Sequence, residues 1–75
     1  MTEKFKAMTI KEVFTNADCK AILDRMAPQL TKFPMAMVGH KKCGEIFELA
    51  VTMKLVDVAT RDALVAELQK TLGLI

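Results

Sequence analysis

Tryptophan and tyrosine are absent from this chain, and phenylalanine occurs only four times. A core without large rings has to be assembled from aliphatic and thioether side chains, which adapt more readily than they lock. The same scarcity leaves no stacking platform among the lysines, which argues against nucleic-acid binding. No apolar run approaches the roughly 18 residues that a membrane-spanning helix requires. Met1 to Lys6 alternates charge with single apolar residues and has no continuous apolar stretch of the signal-peptide kind. Together these absences predict a cytoplasmic protein with no membrane partner. Cysteine appears only at positions 19 and 43, and in that compartment both are expected to be reduced thiols.

What is present is a chain of 75 residues, 52% of them hydrophobic and six of them methionine. A chain of this size has room for one domain, residues 1–75, and buries only about 60% of its unfolded surface, so a partner or a second copy would add stability. The formal charge of +2 conceals a division along the chain. Residues 1–42 carry eight Lys and Arg against four Asp and Glu, whereas residues 43–75 carry three against five. A basic half and an acidic half are suited to pairing within one molecule or between two.

Apolar residues recur with a period near 3.6, which predicts helices almost throughout. Thr9-Ile10-Lys11-Glu12 has the form of a capping box and opens a short helix to about Phe14. Phe5 and Met8 lie upstream as covers for it. Thr15 and Asn16 then start a second helix whose stripe is Cys19, Ile22, Leu23, Met26 and Leu30, with Pro28 ending regular structure near Met26. A third helix is expected from about Lys42 or Gly44 to Met53, with Ile46, Phe47, Leu49, Ala50 and Met53 inward. Leu55 to Ala59 reads as a connector. Thr60 caps the last helix, which turns Leu64, Val65, Leu68 and Leu72 to the core, and Gly73 suits its C-terminal cap. The expected fold is all-α: a small orthogonal four-helix bundle with an irregular apolar loop between helices 2 and 3.

That loop, Leu30 to Lys42, is the segment that amphipathic packing does not explain. Connectors are usually polar because their backbone faces water, yet Phe33, Met35, Met37 and Val38 form a soft apolar run. They either fold back to seal the core or meet a partner. The run continues into Gly39-His40-Lys41-Lys42-Cys43-Gly44. Amides at a helix start beside His40, Lys41 and Lys42 are a candidate anion site. His40 and Cys43, with Cys19 if it packs nearby, are a candidate ligand or metal site. A structural zinc normally needs four donors in two close pairs, so no metal or other cofactor is expected. A thiolate nucleophile at Cys43 has no residue to orient His40, and the chain is expected not to be an enzyme.

The pattern Thr9-Ile10-x-Glu12-Val13-Phe14-x-Asn16, Lys20-Ala21-Ile22-Leu23, Pro28-x-Leu30, Pro34-Met35 and Leu64-x-x-Glu67-Leu68 resembles short helical modules appended to some bacterial carbohydrate-active and ester-hydrolysing enzymes. The shared positions are mainly helix caps and core residues, and the resemblance implies an accessory role in contact with other protein surfaces. A second resemblance is to the small helical domain at the N-terminus of the iron-sulfur repair protein ScdA. Members of that group often carry Cys-x-x-Cys before the third helix, where this chain has His40-x-x-Cys43. No redox role is carried over. The function expected is that of a non-enzymatic interaction or self-association module, its contact surface including Phe33, Met35, Met37 and Val38, and its partner another protein or a second copy.

Overall fold

The reciprocal cap expected at Thr9 is formed: the Thr9 amide donates to Glu12 Oε1 at 3.1 Å and the Glu12 amide donates to Thr9 Oγ1 at 3.3 Å. A computed structural model describes residues 1–75, and they form an all-helical fold with no β-strand. Six α-helices are present, with a 3-10 turn at Pro28–Lys32. They are α1 (Glu3–Ala7), α2 (Ile10–Phe14), α3 (Ala17–Met26), α4 (Met35–Val38), α5 (Cys43–Thr52) and α6 (Val58–Thr71). No helix is long and apolar enough to cross a membrane.

Four of these elements match the expected helices; α4 falls where one loose turn is expected around Met35 to Met37, and α1 is additional. Helix α1 is short, and isolated helices of such length are not stable in water. It forms because Thr2 caps it, its Oγ1 accepting from the Phe5 amide at 3.1 Å, and because Phe5 is completely buried. Helix α4 is a single turn inside the apolar loop, entered from Pro34. Helix α6 begins before Thr60: Asp57 is its N-cap, accepting from the Thr60 amide at 2.7 Å. The cap residue therefore lies inside what reads as a connector.

Both long C-terminal helices end in a Schellman arrangement. At α6 the Leu74 amide donates to Gln69 O and the Gly73 amide to Lys70 O, with Gly73 at φ +72°. At α5 the Leu55 amide donates to Ala50 O and the Lys54 amide to Val51 O, and here a lysine takes the left-handed position at φ +60°.

The core gathers Phe5, Ile10, Val13, Cys19, Leu23, Leu30, Cys43, Phe47, Leu64 and Leu68 from every long element. Ile22 and Met26 are half-buried against it, as is Leu72. Helix α5 corrects one expectation. Leu49 and Met53 do not turn inward but are 44% and 53% exposed. The core contacts the line through Cys43, Phe47 and Ala50. At 3.6 residues per turn, Leu49 and Met53 fall about 80° or more to one side of that line. The apolar arc of α5 is simply wider than the core it covers.

Candidate functional site

The basic turn between Gly39 and Gly44 is occupied by the fold itself. The amides of Ile10 and Lys11, at the open start of α2, donate to Lys41 O and Gly39 O at 2.9 Å each. In return the Cys43 amide, at the start of α5, donates to Met8 O at 2.8 Å, and Thr9 and Lys42 form an antiparallel bridge. The two helix starts are thus joined through backbone, and the first amide of α5, that of Cys43, is committed to this joint. Lys42 Nζ donates to Ala7 O at 3.2 Å, and Lys41 Nζ lies 3.7 Å from Glu45. His40 is exposed. Gly44 favours a close crossing of α1 over α5: a Cβ there would stand 3.1 Å from Lys6 Cβ, a tight contact that α1 would have to relieve by a few tenths of an ångström.

Cys19 and Cys43 are both completely buried and unpaired. Burial is the main cause that pushes the Cys43 thiol up to about 12, with Glu12 and Cys19 adding to the shift. A thiol held in that range is protonated at neutral pH and is neither a nucleophile nor a ready metal ligand. His40 points to solvent while the two thiols are interior, and no three His, Cys, Asp or Glu side chains converge as metal donors.

The apolar half of the loop leads to a different surface. Phe33 is 38% exposed and, with Val38, lines a groove whose eleven lining residues are all hydrophobic. The cavity within it measures about 60 Å³. Phe14, Leu30, Phe47 and Ala50 line it too, with Leu49 from α5 and Met53 and Leu55 from the turn that follows. Phe47 is buried beneath, and its ring is backed by Phe5 with centroids 5.8 Å apart.

Met35 and Met37 part company. Met35 is half-buried against the core, whereas Met37 is 66% exposed, and neither lines the groove. Of the four residues expected to form a contact surface, the structure brings together Phe33 and Val38. The lining residues that sequence reasoning missed are chiefly Leu49 and Met53. Their signal was the width of the α5 apolar arc, which exceeds what a single core contact uses.

Both carboxylates of α5 are ion-paired. Glu45 is paired with Lys41, and Glu48 Oε1 lies 3.0 Å from Arg61 Nη1. Comparison with family models, with curated proteins and with solved structures gave no match for this chain. Its function is therefore argued from the surface alone.

Proposed function

We propose that this chain is a non-enzymatic interaction module that receives an apolar element of another protein, or of a second copy, in the groove between the Phe33 loop and α5. The observation that carries this reading is the wholly hydrophobic lining combined with the exposure of Phe33, Leu49 and Met53 at 38%, 44% and 53%. Large apolar side chains left in water beside a preformed groove are a cost to a small domain unless they are covered in use. Soft side chains such as Met53 tolerate partners of varied shape. Met37, two residues before Gly39 in the same loop, is a further exposed apolar side chain. The alternative of a ligand, anion or metal at His40, Lys41, Lys42 and Cys43 has less support, because the Cys43 amide bonds to Met8 O, its thiol is buried while His40 is exposed, and both lysines already have partners.

The test is a comparison of the wild type with a Leu49→Lys, Met53→Lys variant, both residues being exposed and so replaceable without unfolding. Static light scattering across a concentration series reads self-association, and affinity capture reads other partners. The expected result is a mass increase or a captured protein that the variant loses. A wild type that stays monomeric and captures nothing the variant fails to capture would refute the reading.

A further inference from the structure

The sulfur atoms of this chain are unequally open to attack. Cys19 and Cys43 are completely buried, and burial pushes both thiols up, so neither offers the thiolate with which an oxidant reacts first. Met8, Met26 and Met35 are half-buried against the core. Met37 and Met53 are the most exposed thioethers, while Met1, also exposed, lies beside Arg61 and Gln69. Among the methionines only Met53 lines the apolar groove.

The surroundings of Met53 decide what one added oxygen would do there. The groove lining contains no polar side chain. The nearest backbone amides are spent on the α5 cap: Met53 donates to Leu49 O at 2.8 Å, Lys54 to Val51 O at 3.0 Å and Leu55 to Ala50 O at 2.9 Å. Oxidation to the sulfoxide turns a flexible apolar side chain into one that carries a strong acceptor. In the open groove water satisfies that oxygen, and Met53 is exposed enough that the fold is not disturbed. Beneath an apolar occupant no lining group donates to it, and an acceptor covered without a donor opposes the contact.

Resting on the interaction reading above, we propose that Met53 makes the groove a peroxide-sensitive switch: its oxidation to the sulfoxide releases an apolar occupant while the fold and both buried thiols stay intact. The Met53 sulfur attacks one oxygen of hydrogen peroxide, so that an S–O bond forms as the O–O bond breaks. The departing hydroxide takes the proton of the transferred hydroxyl and leaves as water. The sulfur gives up an electron pair and the peroxide is reduced. Methionine sulfoxide reductases reverse the change, which resets the groove.

The probe is a peptide free of methionine and cysteine, selected from a displayed random library for binding to the wild type and for loss of binding to Leu49→Lys. The wild type, Met53→Leu and Met37→Leu are treated with limiting hydrogen peroxide. Peptide mapping by mass spectrometry then locates each added oxygen, thiols are counted after unfolding, and circular dichroism confirms that the treated proteins remain folded. Met37 and Met53 are expected to gain oxygen before either cysteine reacts. By fluorescence anisotropy, the oxidised wild type and oxidised Met37→Leu should bind the peptide about tenfold more weakly or worse. Met53→Leu should bind it before and after treatment alike, and methionine sulfoxide reductases should restore the wild type. Thiols that react first, undiminished binding once Met53 is oxidised, or equal loss in treated Met53→Leu would each overturn this inference and leave the interaction reading standing. A library that yields no peptide sensitive to Leu49→Lys would overturn both.

Discussion

The ring of Phe5 lies 5.8 Å from that of Phe47, centroid to centroid and tilted by 34°. One ring belongs to a helix of five residues, and the other is buried under the groove. The N-terminal helix therefore supports the candidate surface without reaching it. Its other end is tied by the Thr2 amide, which donates to Gln69 Oε1 at 2.7 Å on the buried face of α6.

Phe5→Ala is expected to cost about 3–5 kcal/mol, the range for removing a fully buried phenylalanine. A domain this small is expected at the low end of the usual range, about 5 kcal/mol. Urea denaturation should show a midpoint lowered by half or more, or a protein already partly unfolded in buffer. Retention of near wild-type stability would mean that α1 is not a working part of the core.

Lys54→Gly is expected to stabilise. Lys54 holds φ at +60° to close the α5 cap, a conformation that costs a side chain about 1 kcal/mol or more and glycine nothing. In a domain of this length a gain of about 1 kcal/mol raises Tm by roughly 4–8 °C. Calorimetry on the two proteins reads it.

The acid limb of the stability curve should be set partly by two helix caps. Hydrogen bonds from Thr60 hold the Asp57 carboxyl below its ordinary value of 3.8, and bonds from Thr9 hold Glu12 below its ordinary 4.5. A carboxylate with a depressed pKa binds its proton less readily folded than unfolded. Its contribution is thus complete above the unfolded value and disappears as pH falls through the lower, folded one. Asp57→Asn keeps a capping oxygen but cannot titrate. Its Tm should stay close to wild type near neutral pH and fall less than wild type below about pH 4. Equal losses in the two proteins would assign the acid sensitivity elsewhere.

The all-helical class was legible because five features repeat known local physics: the Thr9 capping box, the Asn16 cap, the stop at Pro28, the Cys19-to-Leu30 stripe and the glycine at position 73. Helix count was not. Helices α1 and α4 have five and four residues, too short for periodicity to register, and both exist through tertiary contacts that a local pattern does not encode. The groove was half legible. Phe33 and Val38 stood out as apolar loop residues, but Leu49 and Met53 were absorbed into an inward face, since spacing alone does not say where a core stops along a broad apolar arc. The basic turn misled for a related reason. Its carbonyls receive the α2 amides and its Cys43 amide bonds to Met8 O, and that pairing is a long-range fact.

Met35 and Met37 separate the two roles that the apolar loop plays. Met35 is half-buried against the core, and its sulfur faces the position a Gly39 side chain would take, 3.0 Å from where that Cβ would stand. Met37 is 66% exposed. Lysine at position 35 must either carry its charge under the loop or leave a gap in the packing, which is expected to cost about 2–3 kcal/mol. Lysine at position 37 keeps the charge in water and should stay within about 0.5 kcal/mol of wild type. Chemical denaturation of the two single variants measures both. If Met37 forms part of the contact surface, Met37→Lys should also weaken partner binding while the fold is intact. Met35→Lys should weaken it only in proportion to lost structure, restored when the protein is stabilised by Lys54→Gly to the extent that the added glycine does not itself remove a contact. Equal destabilisation by the two substitutions would contradict the inward and outward assignment on which the apolar surface rests.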